Sequence, residues 1–289
     1  MSPSMTASPT LQRNAIRRYL KTGEHDWTFA GWNGINLVDA ERRGHAALVD
    51  ALLEVVRART ATVDVPVFLC QQDVPTLKTS KLAPMVDGLF PASERALVLA
   101  MLTRSVVFLG PDNIEQVLRS MPWLHTGWSL ANLYLVSMGA RRMSRQAPNI
   151  VGLSQESTCY VSLDYFREQD PFADYVVHEA AHVFHNCKRA TVGLPATRRR
   201  EWLLDIDYRK RETFAYACEA FSRMVALGDS QARRREALVR HADGPLPGDA
   251  SVENEEYLDI LKEAITARNG WTRILNRCAP SSAFRRGVD

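Results

Sequence analysis

Apolar positions recur at helical spacing over most of this chain and alternate in only a few short stretches. The spacing predicts helices over about 10–21 and 38–59, parted by a Gly-Trp-Asn-Gly turn at 31–34. Helices are also expected over 92–108, 112–121 and 128–138. The second of these opens on Asp112-Asn-Ile-Glu115, a capping-box pattern with Asp as the capping residue. Strands are expected at 65–70, 150–153 and 159–166, and 71–91 reads as an irregular connection. Over 159–166, Cys159, Val161, Leu163 and Tyr165 share one face, while Tyr160, Ser162, Asp164 and Phe166 share the other. A short loop, 167–174, leads into a helix that starts at Asp170-Pro171. Residues 241–252 form a loop rich in Gly, Pro and Asp, and a last long helix covers 253–278 with a bend at Gly270. The expected class is α+β: mostly helical, with a small sheet. The expected organisation is a disordered tail at 1–9 and an N-terminal helical region at 10–75. A main domain at 76–240 follows, with a loop and helix at 241–289 packed on it.

One of these helices carries candidate chemistry. His178-Glu179-Ala180-Ala181-His182 is an H-E-x-x-H pattern. On a helix the two histidines lie one turn apart on one face, where their imidazoles can converge on one zinc ion. Glu179 falls beside the metal, placed to take a proton from a metal-bound water. Val176, Val177, Ala180, Ala181, Val183 and Phe184 are apolar, as a buried helix requires. The plain alternative is a core helix whose histidines are satisfied by neighbouring polar groups.

A catalytic zinc site takes three protein ligands and leaves a fourth position for water. No H-x-x-G-x-x-H extension follows His182. His185, one further turn along, suits a supporting or substrate-facing role, or simply the C-terminal dipole of the helix. Downstream, Arg211-Glu212-Thr-Phe-Ala215-Tyr216-Ala-Cys218-Glu219 has a strong helix pattern. Ala215, Cys218 and Phe221 suit the core; Glu212, Tyr216, Glu219 and Arg223 share another face. A carboxylate from this second helix would complete a His-His-Glu set. Glu219 equally suits an ion pair with Arg223 at i,i+4.

H-E-x-x-H with a downstream Glu resembles the gluzincin branch of the zincin metallopeptidases. In several gluzincin groups the third ligand begins an E-x-x-A run. Glu212 with Ala215 fits that run, which puts Glu212 first and Glu219 second as the third ligand. The resemblance covers roughly 145–225. It implies a zincin-like domain, one Zn2+ per chain, and a protein or peptide substrate laid along a sheet edge formed by the strand before the metal helix. It also implies hydrolysis by a metal-activated water with Glu179 as general base, helped by an oxyanion donor. Tyr216 and Tyr208 are the first candidates for that donor and His185 the next. The E-x-x-A helix is similar both to lethal-factor-like toxin peptidases and to bacterial regulatory peptidases that cleave repressors. The N-terminal helices match neither.

Composition narrows the frame without changing it. With 289 residues, 46% hydrophobic and 24% charged, the chain can bury a sizeable core. A net charge of +3 does not by itself imply a nucleic-acid partner. Five cysteines, Cys70, Cys159, Cys187, Cys218 and Cys278, form no C-x-x-C pair, which favours free thiols in a reducing compartment. Cys187 and Cys218 fall on the two helices expected to meet, so a thiolate ligand stays open. The polar N-terminus does not read as a signal peptide, and the most apolar window, 96–109, is too short to span a bilayer. These features imply a soluble, cytoplasmic protein with no membrane partner. Arg198-Arg-Arg200, Arg209-Lys-Arg211 and Arg233-Arg-Arg235 suit either an anionic partner or a solvated, ion-paired surface. Three functions therefore compete: a zinc peptidase, a metal-bound regulatory or toxin-associated interaction protein that cleaves little, and a metal-free helical binding module.

Overall fold

A computed structural model describes residues 8–63, 73–148, 150–155, 157–197 and 200–280. Its class is α+β, eleven α-helices and a three-stranded sheet among the described residues. Two compact units are present: the described residues within 1–70, 108–151 and 162–164 form one, and those within 71–107, 152–161 and 165–289 the other. The boundaries expected at 75 and 240 are therefore not where the units part. The first unit is discontinuous, because helices from 114–137 join those of the N-terminal region.

That first unit contains α1 (Pro9–Thr22), α2 (Leu37–Thr60), α5 (Ile114–Ser120) and α6 (Leu124–Ser137). Pro9 opens α1 and Ser8 caps it, so the tail expected at 1–9 ends earlier; residues 1–7 lie outside the described part. Leu48, Leu52, Leu53, Leu118 and Leu135 are buried between these helices. Buried polar atoms are matched: the Tyr19 hydroxyl donates to Leu124 O at 2.8 Å and Trp128 Nε1 to Leu20 O at 3.0 Å. The capping box expected at 112–115 does not form. Asn113 stands at the N-cap, but its side chain bonds Gly110 N and Phe108 O, while Glu115 pairs with Arg57.

The second unit holds α3 (Val74–Leu89), α4 (Ala92–Ser105), most of β1 (Val106–Phe108), β2 (Gly152–Gln155), β3 (Thr158–Val161), α7 (Tyr175–Asn186), α8 (Arg211–Leu227), α9 (Gln231–Ala242), α10 (Asn254–Thr266) and α11 (Gly270–Cys278). Helix α3 replaces the irregular connection expected at 71–91. Asp73 accepts from Thr76 N to cap it, and Pro75 sits in the first turn, where no N–H is missed. Pro84 is a true interior proline, a defect of about 3 kcal/mol. Full burial of Leu82, Met85 and Val86 offsets it, at roughly 1.5–3 kcal/mol each. The strand expected at 65–70 lies outside the described residues. Helix α4 stops at Ser105, and the β-branched Val106-Val107 that follows joins the sheet.

The sheet order is β1-β3-β2, with β2 and β3 antiparallel. Both were expected, but β3 is shorter than 159–166: residues 163–167 form a 3-10 turn. Strand β3 is also central. Of the two outer strands, β2 is the one packed on α7, so the outer strand expected from 159–166 is corrected to 152–155. The long last helix is two: α10 ends at Thr266 and Asn269 caps α11. A Cβ on Gly270 would lie 2.2 Å from Phe221 Cζ, so glycine is what lets α11 reach α8. Helices α10 and α11 both pack on α8. Cys159, Cys187, Cys218 and Cys278 are free and buried. Among the described residues, no helix is long and apolar enough to cross a membrane.

Candidate metal centre

Helix α7 exists because six apolar side chains bury one side of it. Val176, Val177, Ala180, Ala181, Val183 and Phe184 are all 0% exposed, against α8, α3, β2 and β3. The helix starts at Tyr175, not at Asp170-Pro171. Asp174 is the N-cap, and its carboxylate forms an ion pair with Lys81 at 2.7 Å. It ends at Asn186, where the incoming 203–204 segment satisfies its orphan carbonyls: Leu204 N donates to Phe184 O and Leu203 N to Cys187 O. Helix α8 lies against α7, and Ala215 and Ala217, fully buried, permit close approach. Ala215, Cys218 and Phe221 are core residues, as the sequence pattern requires. Glu212 sits in the first turn of α8, where the helix dipole favours a carboxylate.

Together these helices bring His178, His182 and Glu212 into one cluster. His178 Nε2 and His182 Nε2 are 3.3 Å apart. Glu212 Oε2 is 3.5 Å from His182 Nε2 and 3.8 Å from His178 Nε2. For tetrahedral zinc with bonds of about 2.0–2.1 Å, neighbouring ligand atoms should be about 3.3–3.4 Å apart. The triangle therefore fits one face of such a tetrahedron to within a few tenths of an ångström. The side chains are 13%, 12% and 37% exposed, so solvent reaches the triangle from the Glu212 side.

Glu219 is not in the triangle. Its Oε2 accepts from His178 Nδ1 at 3.0 Å, on the far edge of the ring, and its Oε1 accepts from Asp174 N at 2.7 Å. A carboxylate only accepts, so a proton stands on His178 Nδ1, and in the neutral ring the Nε2 lone pair faces the cluster. Both Glu219 oxygens are thus occupied, and the ion pair expected with Arg223 does not form. Arg223 Nε donates to Pro171 O instead. Burial works against a charged His178, but the Glu219 hydrogen bond and the charges of Glu219, Glu179 and Glu212 outweigh it, holding its pKa up at about 9. Glu212 is held below the usual carboxylate range, chiefly by its bond to His182 and despite its burial.

Glu179 is 7% exposed. Ser154 Oγ donates to its Oε2 at 2.6 Å. Burial raises the Glu179 pKa, with His178 and the Ser154 bond opposing. Strand β2 passes so close that a Cβ on Gly152 would fall 2.4 Å from Glu179 Oε1. Gly152 and Ser154, two apart on one strand face, therefore cover the carboxylate together.

The Tyr216 ring meets the His178 ring edge-on, centroids 4.5 Å apart. Its hydroxyl is pushed up to about 12, first by burial and then by the surrounding carboxylates, so it stays a donor. Tyr208 is 78% exposed and lies under the Arg211 guanidinium, 4.8 Å away. His185 is buried behind His182, ring centroids 5.3 Å apart, with Nδ1 unpartnered. Burial, then His182 and Arg211, push it down to about 3, so it is neutral there rather than a cation at the helix dipole. Cys187 is the C-cap of α7, with its Sγ 3.6 Å from Lys188 O, and neither it nor Cys218 joins the cluster.

Three contributors had no sequence signal: Lys81, Asp174 and Ser154. Lys81 comes from a helix the sequence pattern did not predict, and Ser154 falls one residue past the strand expected at 150–153. Asp249, in the loop after α9, is close enough to feel the charges of His178 and His182. Several members of the basic runs have partners within the fold. Arg200 reaches Glu94, Lys210 bonds Glu256 and Arg277 O, and Arg234 bonds Gly228 O; Arg198 and Arg199 lie outside the described residues. No protein-family model, curated protein or solved structure matches this chain.

Proposed function

We propose that the chain is a zinc-dependent metallopeptidase of gluzincin type, with His178, His182 and Glu212 holding the ion and Glu179 as general base. The observation that carries this reading is the triangle of 3.3, 3.5 and 3.8 Å between two Nε2 atoms and a carboxylate oxygen. Two neutral Nε2 lone pairs this close repel unless a cation or a proton lies between them. Zinc bound there would activate a coordinated water and polarise a peptide carbonyl. Glu179 takes the proton and delivers it to the leaving amine. Ser154 fixes the direction of that carboxylate, Glu219 fixes the His178 ring, and Tyr216 offers a hydroxyl proton to the developing oxyanion. The cytoplasmic location read from the cysteines belongs to the same proposal.

One observation favours a second reading, a metal-holding regulatory or interaction protein that cleaves little. Glu179 is nearly covered, and its carboxylate is already bonded to Ser154. Zinc analysis and a peptide digest separate the two. The peptidase reading expects about one zinc per chain and cleavage of a mixed peptide pool, lost in Glu179→Gln with zinc retained. Zinc without cleavage in the wild type selects the second reading; no zinc rejects both.

A further inference from the structure

A cavity of about 290 Å³ opens beside the metal cluster, on the α8 side. Its walls are built by the segment before α7, by α8 and by the loop after α9. Tyr216 is one wall and Glu219 another; the first packs on the His178 ring and the second bonds its Nδ1. A group entering the cavity is therefore one ring away from the position of the ion. The volume lies at or below the bottom of the range of about 300–1,000 Å³ typical of small-molecule clefts, the size for one long side chain.

We infer that this cavity is the side-chain subsite of the centre and that it takes a basic residue, lysine or arginine, of a peptide substrate. The inference rests on the peptidase reading and adds the substrate class. Aromatic rings line the interior, Phe172 and Tyr257 among them, and suit the aliphatic stem of such a residue. Glu168 and Asp170 lie on the lining and no Lys or Arg does. Both carboxylates are fixed. Glu168 accepts from the Tyr175 hydroxyl and from Gln169 N and Asp170 N; Asp170 accepts from Phe172 N. Lone pairs remain on each for a cationic head, and a fixed carboxylate loses little entropy in binding it. His241, the one lining residue able to become a cation, has its pKa held down by burial and does not cancel them. An acidic side chain would meet two like charges, and an apolar one would gain nothing from the lone pairs that remain on them.

The test uses the zinc-loaded full chain and the hydroxamates of arginine, leucine and glutamate, which bind a metal without being cleaved. A mixed peptide pool, digested and read by mass spectrometry, runs beside them. The arginine compound should bind at least about tenfold tighter than the leucine one, with glutamate weakest. Cut sites should be enriched in Lys or Arg at one position beside the broken bond. The double variant Glu168→Gln/Asp170→Asn, isosteric and at the rim, should lose this preference while its zinc content stays that of the wild type. Cleavage or binding without a basic preference overturns the subsite alone, as does a preference that survives in the double variant. No hydroxamate binding together with an uncut pool overturns the peptidase reading and the subsite with it.

Discussion

His178 and Glu219 are joined at 3.0 Å on the side of the imidazole that faces away from the candidate metal position. The same carboxylate accepts the backbone N–H of Asp174, the N-cap of the helix that carries His178. One acidic side chain thus fixes both the ring and the start of its helix. Its loss should be felt at the metal without removing a ligand.

Zinc stoichiometry tests that division of labour. Wild type should bind about one equivalent, and His178→Ala and Glu212→Gln should lose it on dialysis. Glu219→Gln should keep zinc but bind it roughly 10–100-fold more weakly, as a supporting partner does. Equal loss in Glu219→Gln and Glu212→Gln would contradict the assignment.

The metal-free protein should show a pH dependence from His178. Its pKa in the fold, about 9, stands above the ordinary value near 6.5. The folded state then binds the proton more tightly than the unfolded one. This stabilisation is complete below about 6.5 and is lost as pH rises through about 9. Melting temperatures of chelator-treated protein should fall across that window, and His178→Gln should flatten the fall. Zinc-loaded protein, with Nε2 engaged, should lack it.

Strand β2 should control Glu179. In Gly152→Ala the new methyl would meet the Glu179 carboxylate, which must move. Overpacking of this kind costs about 1–3 kcal/mol, read as a lower melting temperature. Peptide cleavage should fall further than stability does, while zinc binding persists. Ser154→Ala should lower kcat rather than raise KM, because it frees the base without touching substrate.

The Lys81–Asp174 pair is the stability test. Asp174 is 0% exposed, and burial raises its pKa against the pull of Lys81. Removing one partner of a buried pair costs about 3–5 kcal/mol, and Lys81, itself 21% exposed, belongs at the low end. Denaturant unfolding of Lys81→Ala should show a loss of about 3 kcal/mol. Lys81→Met/Asp174→Asn should recover part of it.

Much of the centre was legible along the chain because its parts are local. His178, Glu179 and His182 lie within five residues on one buried helix, and Glu212 opens a helix whose Ala215 allows close packing. Periodicity also gave α1, α2, α6 and the β2–β3 pair to within a few residues. Periodicity failed at α3, where the burial of three side chains outweighs an interior proline, and at the capping box of α5, whose Asn113 found tertiary partners instead.

What the sequence determined by itself is the residue types of the candidate centre, their spacing on one helix, and the helical class, since spacing within a helix is set by backbone geometry alone. What only the tertiary structure decided is which acid faces the imidazoles, where Tyr208 and His185 go, and that Ser154 and Lys81 belong to the centre. Glu212 and Glu219 are two turns apart on one helix. Only the packing of α8 on α7 directs one to the Nε2 edge of His178 and the other to the Nδ1 edge.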